Sequence, residues 1–278
     1  MLIRPAGLRH ADAVAEVMES LLHGLRALGV DVDLAENAAR PDAINIVFMA
    51  FYLGAEQILQ LPPDTILYNF EQAGGALNFL TAAFRAGLAR YRIWDYSQRN
   101  MDRLQDLIGH ERRQVVPVGY VPALSRIPRA AVQDIDVLFY GALNERRRAI
   151  LTGLQQQSGL RLHAVQGVYG AERDALIARA KLVLNIHAHD SKVLEVVRIS
   201  YLLANRKAVV AEMDETTEIE PDLRDAIAGA PADGLAALCR ELIEDAERRH
   251  ALEDRGYDIF RRRDLVPILR RAITDAAR

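Results

Sequence analysis

The chain has 278 residues, half of them hydrophobic, which is enough to bury the cores of two domains of roughly 100–150 residues each. Lys+Arg 35 against Asp+Glu 38 gives a net charge of −3, which excludes an overall positive field for wholesale nucleic-acid or anionic-membrane binding. The arginine-rich tail, residues 248–278, leaves peripheral contact with an anionic surface open. Cys239 is the single cysteine, so there is no internal disulfide or multi-cysteine zinc site, and a reducing cytoplasm is the expected compartment. Set in the helical pattern LAALCRELI, it reads as core and not as a nucleophile. No signal-peptide pattern opens the chain and no apolar run approaches about 18 residues, so no membrane span is expected.

Taken in order, residues 2–3 are too short a run for a full strand, and the polar turn GLRHAD opens a helix expected at about residues 13–28. Gly29 falls where a left-handed C-terminal cap belongs, and residues 30–34 (VDVDL) alternate as a strand would. Residues 44–51 (INIVFMAF) read as a stronger strand, and residues 65–70 (TILYNF) as another, introduced by the Pro62-Pro63 turn. Glu71, Gln72 and Gly74-Gly75 then lead to a helix expected near residues 76–86. Residues 92–96 (RIWDY) form a strand, Ser97 caps a helix at about residues 98–108, and residues 115–118 form a further strand. The prolines from Pro117 to Pro122 and the polar stretch to Asp134 make a linker.

A second α/β half starts at residues 135–140 (IDVLFY). It runs through Gly141 and Asn144-Glu-Arg-Arg-Arg148 into a helix at about residues 146–157, a turn that suits an anion because free N–H groups at a helix start favour negative charge. An arginine run on a helix also fits a solvated face. A strand at residues 160–165, the loop Gly167-Val-Tyr169-Gly170 and a helix at residues 172–180 follow. The densest cluster of polar side chains lies next, in LVLNIHAHDSKVLEVVRISYLLANRKAVVAE. Two apolar strands, at residues 182–186 and 208–211, flank a helix at residues 193–203, the pattern of a parallel βαβ unit, where ligands sit at the carboxyl ends of strands. Helices at about residues 235–248, 252–263 and 265–276 close the chain.

Just past the first of those strands stand His187, His189, Asp190, Ser191 and Lys192, with Glu195 and Arg198 in the first turns of the helix. His187, His189 and Asp190 suggest a metal-dependent hydrolase as one reading. Against it, Asp190 falls one place early for the His-x-His-x-Asp-His pattern of metallo-β-lactamase-type hydrolases, Lys192 stands where a last histidine belongs, and His10, His23, His110, His163 and His250 are scattered. Glu195 and Arg198, three apart, make either a simple helix-surface ion pair or a ribose- and phosphate-binding pair.

The GLRH loop, DIDVLFYGALNERR and AKLVLNIHAHDSKVLEVVRISYLLANRKAVVAE resemble the GT-B glycosyltransferases, in particular the group-one-like bacterial enzymes. The resemblance implies an α/β fold of two Rossmann-like domains with parallel sheets. An acceptor domain spans 1–122, a nucleotide-sugar donor domain 135–255, and a helical tail, 256–278, packs back on the first domain. It places Gly141, Asn144 and Arg147 near a diphosphate, Tyr169 near the base, His187, His189, Ser191 and Lys192 near the sugar or phosphates, and Glu195 on the ribose with Arg198 beside it. Arg147 and Arg198 would stabilise the departing diphosphate, with no cofactor and no bound metal expected. For an acceptor-activating base the candidates are His10, Asp12 and Glu71, each of which also reads as a helix cap or loop residue. The sequence departs from the family where Leu203 replaces the second glutamate of Glu-x7-Glu, where no lysine follows the arginine cluster, and in its short length. The acceptor is unidentified, and a nucleic acid is among the candidates. A non-catalytic protein closing two lobes on a nucleotide or sugar is the remaining alternative.

Overall fold

The computed structural model describes residues 1–7, 9–73, 79–188 and 192–276, without the side chains of residues 9, 10, 158, 275 and 276. It divides into two compact units. Met1–Val121 with Asp264–Arg278 form the first and Pro122–Arg263 the second. The second unit is therefore contiguous in sequence, whereas the first is completed by the last helix.

In the first unit, strands β1 (Leu2–Arg4), β2 (Leu34–Glu36), β3 (Ile46–Phe48), β4 (Ile66–Asn69), β5 (Arg92–Asp95) and β6 (Arg113–Val115) pair in parallel in the order β2-β1-β3-β4-β5-β6. The central strands are buried along both faces because helices cover both. Helices α1 (Ala15–Ala27), α2 (Ala55–Leu59), α3 (Ala82–Arg90) and α4 (Gln98–Leu104) lie between them.

The sequence pattern misplaced several elements here. The strand expected at 30–34 lies later, because pairing matches Leu34 to Leu2, and of residues 30–33 only Val32 is buried. The strand expected at 44–51 is confined to Ile46–Phe48, since Met49 takes a left-handed φ of 54° and turns the chain into a 3-10 segment, Ala50–Tyr52. The helix expected at 76–86 begins at Ala82, where Thr81 Oγ1 accepts a hydrogen bond from the Phe84 N–H at 3.1 Å; residues 74–78 lie outside the described residues. The strand expected at 115–118 ends at Val115, before Pro117, which has no N–H for the ladder.

In the second unit, β7 (Ile135–Tyr140), β8 (Leu162–Val165), β9 (Ala180–Asn185), β10 (Ala208–Glu212) and β11 (Ala228–Ala230) form a parallel sheet in the order β11-β10-β9-β7-β8. Helices α5 (Glu145–Ser158), α6 (Gly170–Arg179), α7 (Val196–Ala204), α8 (Leu235–Glu244) and α9 (Ala246–Arg261) accompany it. Its core gathers Val137, Phe139, Leu182, Leu184 and Val210 from the strands with Leu235 and Leu252 from the helices. Cys239 is in that core with no exposure, and burial pushes its thiol up to about 12, so it is an inert apolar filler. The last helix, α10 (Leu265–Ala276), belongs to the first unit and packs on α1, where Leu269 Cδ1 lies 2.7 Å from where a Cβ would stand on Gly24. No helix among the described residues is long and apolar enough to cross a membrane. The two parallel sheets with flanking helices make this an α/β chain of two Rossmann-like units.

Candidate functional site

β7 and β9 are neighbours, and their carboxyl ends bring the turn 141–147 beside residues 185–188. At the first end, Gly141 adopts φ 147° and donates its N–H to the Val165 carbonyl at 3.1 Å. Asn144 then caps α5. Its Oδ1 accepts from the Arg147 N–H at 2.9 Å and its Nδ2 donates to the Ala188 carbonyl at 2.7 Å, which ties the start of α5 to the loop after β9.

Arg147 is 2% exposed. Its guanidinium donates to the Ile186 carbonyl from Nε (2.9 Å) and Nη2 (2.6 Å) and to the Ala142 carbonyl at 3.0 Å, lies over the Phe139 ring, and pairs with Glu195 Oε1. Burial lowers its pKa and the Glu195 charge acts in the opposite direction. The other oxygen of Glu195 holds Arg198 Nη2 at 2.7 Å. Arg198 also reaches Asn185 Oδ1 at 3.3 Å and lies over the Tyr140 ring. One carboxylate, at the N-cap position of α7, thus sets two guanidinium groups at the strand ends.

A second pair stands alongside. Arg146 Nη1 donates to Glu212 Oε2 at 2.8 Å and to the His187 carbonyl at 3.1 Å, while Nη2 pairs with Glu212 Oε1. Glu212 Oε2 also accepts the His187 N–H at 3.1 Å. Burial would raise the Glu212 pKa, but the bonds from Arg146 and His187 outweigh it and the pKa is lowered. The backbone of His187 is therefore fixed from both sides. Its imidazole, 2% exposed, has no hydrogen-bond partner of normal geometry at either nitrogen. Burial lowers its pKa, with Glu212 and Glu195 and a weak influence of the Val193 backbone opposing, so the ring is neutral near pH 7.

Asn144, Arg147, His187, Glu195 and Arg198 thus lie together at these strand ends, with Gly141 against Arg198, while His189, Asp190 and Ser191 lie outside the described residues. Lys192, in a left-handed conformation at φ 46°, pairs with Asp214 and holds that carboxyl well below its usual range. Tyr169 stands at the N-cap position of α6 without capping it. Sequence reasoning missed Glu212 and Asn185. Both end apolar strand runs, and a polar residue closing such a run was the available signal.

In the first unit, His10 lies in a 3-10 segment, Arg9–Val14, and its side chain is outside the description. Asp12 accepts from Arg4 Nη1 at 2.7 Å, and the same arginine binds Glu36. Glu71, just past β4, has its backbone clamped, its carbonyl accepting from Asn69 Nδ2 (3.0 Å) and Asn100 Nδ2 (2.9 Å). Its carboxyl is in no ion pair among the described residues, and burial raises its pKa. The clamp centres on Asp95, fully buried, which accepts from Asn69 Nδ2 at 2.7 Å, the Ser97 N–H at 2.8 Å and Asn100 Nδ2 at 3.4 Å. Burial nevertheless pushes Asp95 up to about 7. This hub was not visible in the sequence, since Asn69 reaches Asp95 and Asn100 only through the pairing of β4 with β5.

Two parallel-sheet units, the second with basic side chains and a helix start gathered at its strand ends, define a two-domain α/β protein built of Rossmann-like units. Solved structures narrow it: the chain has the fold of the GT-B glycosyltransferases. An alpha-glucosyltransferase in complex with UDP and a 13-mer DNA containing an HMU base superposes with a TM-score of 0.69 at 9% identity, over 100% of this chain and 99% of that one. HepE of Anabaena in complex with UDP-glucose gives 0.66 at 13% identity, with the same coverage of both chains. AviGT4, a glycosyltransferase involved in avilamycin A biosynthesis, gives 0.59 at 15% identity, over 100% of this chain and 97% of that one.

No protein-family model matches the chain. By sequence it is similar to an uncharacterized protein of Acanthamoeba polyphaga mimivirus, 26% identical over an alignment of 198 residues that covers 66% of this chain and 26% of that protein. A second uncharacterized protein of the same virus is 28% identical over 142 residues, 49% of this chain and 44% of that protein. The chain thus spans less than half the length of the curated relatives it matches.

Proposed function

We propose that the protein is a glycosyltransferase that moves a sugar from a UDP-sugar to an acceptor hydroxyl. The observation that carries this reading is the set of three guanidinium groups, Arg146, Arg147 and Arg198, held at the carboxyl ends of β7 and β9 by Glu212 and Glu195. Departure of a nucleoside diphosphate builds negative charge on its β-phosphate. Preset cations and the start of α5 stabilise that charge without reorganising, and no divalent ion is required for it. The UDP and UDP-glucose held by structural neighbours support uridine as the base.

In this reading Arg198 is the main phosphate ligand, since Arg147 is buried and anchored to two carbonyls, and Glu195 positions both. The neutral imidazole of His187 offers one donor and one acceptor, the pair a sugar hydroxyl needs. Gly141 and Asn144 shape the phosphate turn, with Tyr169 and Lys192 as further donor-site residues; His189 and Ser191, which lie outside the described residues, are assigned to the same site from the sequence alone. For an inverting transfer Glu71 is the base. Asp12 is committed to Arg4, whereas the Glu71 carboxyl is in no ion pair among the described residues and has the raised pKa that suits a proton acceptor.

A thermal-shift screen of the purified chain against UDP, GDP and ADP and their glucose conjugates, with and without EDTA, tests the proposal. A ligand at about 100 times its dissociation constant adds about 2.7 kcal/mol of stability. UDP and UDP-glucose should raise Tm irrespective of EDTA, and Arg198→Ala should abolish the shift. If no nucleotide shifts Tm, the donor-site reading falls. If EDTA alone lowers Tm, the hydrolase reading built on His187, His189 and Asp190 takes its place. Release of UDP on mixing with candidate acceptors separates a transferase from a binding protein.

A further inference from the structure

The first unit has a cavity of about 410 Å³ remote from its strand carboxyl ends. Leu2, Ile46 and Ile66, each the first residue of its strand, form part of its wall, so it opens at the amino end of the sheet, away from Asn69, Glu71 and Asp95. Leu25 of α1, Ile273 of α10 and Trp94 of β5 add to the apolar lining. At its mouth stand Val30 and Ile44, 38% and 56% exposed, two of the large hydrophobic residues this chain leaves in water.

Volume and chemistry both point to a ligand. The cavity is in the range of small-molecule sites, roughly 300–1,000 Å³. A cavity of about 150 Å³ takes a benzene, so this one has room for on the order of a dozen or more carbon atoms. Its mouth carries Asp31, Asp33, Asp42 and Arg40. Arg40 and Asp42 neutralise one another, with Nη2 and Oδ2 2.6 Å apart, and the Met1 ammonium donates to the Ile44 carbonyl at 2.9 Å. Asp31 and Asp33, both exposed, are in no hydrogen bond through their carboxylates and no ion pair among the described residues; the Met1 ammonium and Arg40 are the cations that feel their charge. The wall is apolar and the excess charge at the rim is negative.

We propose that this cavity binds the apolar chain of an amphiphile whose cationic head rests on Asp31 and Asp33. The site is independent of the donor-site reading. Trp94, the only tryptophan, is in its wall and reports occupancy directly.

The experiment is a titration of Trp94 emission in the full chain with decylamine, decanol and decanoate at pH 7 and low salt. Decylamine should give a saturable one-to-one change and bind about five- to tenfold tighter than decanoate, a difference that salt reduces. Ile273→Phe, which fills the cavity from α10, should weaken all three. Asp31→Asn with Asp33→Asn, on the exposed rim, should bring decylamine down to the affinity of decanol. A non-saturating response to decylamine, equal binding of decanoate, or an Ile273→Phe variant that binds as well as the parent would each overturn the proposal.

Discussion

Gly141 and Arg198 compete for the same space: a Cβ on residue 141 would stand 2.5 Å from Arg198 Nη2, at a backbone φ of 147° that L side chains rarely adopt. The glycine is what lets the guanidinium close over the end of β7. Gly141→Ala should therefore cost on the order of 1–3 kcal/mol through backbone strain. It should also displace Arg198, weakening UDP at least about tenfold, the loss of one charge-assisted bond of about 1.5–3 kcal/mol. Urea denaturation and calorimetric titration with UDP check the two effects.

Glu195→Ala removes the only carboxylate paired with Arg147 among the described residues, leaving a guanidinium that is 2% exposed without its counter-charge. Breaking a buried pair by deleting one partner costs about 3–5 kcal/mol. The two backbone carbonyls that Arg147 keeps place the expected loss at the lower end. Arg198→Ala, at the more accessible end of the same carboxylate, should be milder for stability and harsher for UDP binding. Denaturant midpoints of the two variants, read beside UDP affinity, would expose an error if their order were reversed.

His187→Phe should separate stability from function. Replacing an imidazole whose two nitrogens lack partners of normal geometry by a ring of similar shape removes an unsatisfied polar group, a gain of about 1 kcal/mol or more in the empty protein. Affinity for UDP-glucose should fall while affinity for UDP alone is kept. A variant that is less stable, with both affinities unchanged, would make His187 a structural residue.

Asp95 gives the first unit a pH dependence. With its folded pKa raised to about 7, the native state holds a proton that the unfolded chain, titrating near 4, releases. The stability this group contributes is complete below about pH 4 and is lost as the pH rises toward 7, by up to about 4 kcal/mol over that interval. The raised pKa of Glu71 acts in the same direction. Urea midpoints at pH 5 and pH 8 should show the fall in the parent and a much smaller one in Asp95→Asn.

Where sequence and structure agree, a local cause is at work. Residues 135–140 could be read directly because a run buried on both faces is apolar at nearly every position. Glu195 and Arg198 pair across one helical turn. Arg146 and Glu212 are 66 residues apart and meet only once β9 and β10 are in register, with Asn185 matched to Ala211, so the polar end of a strand run marks Glu212 but no local pattern announces its partner. Residues 30–33 alternate as a strand would, yet alternation cannot tell a pleated edge from a loop that turns one valine inward. The early end of β3 depends on a left-handed methionine, which residue type does not signal.

The discontinuous first unit carries a consequence for biosynthesis. Its last helix is encoded after the whole of the second unit, and Leu269 of that helix fills the space that Gly24 leaves open on α1. During translation Pro122–Arg263 can close as soon as it emerges, whereas the earlier-made sheet must wait with one face of α1 bare until residue 269 appears. The segment synthesised first is thus the last to be finished, and ribosome stalling after Arg263 would leave that bare helix face as the surface for a chaperone to cover.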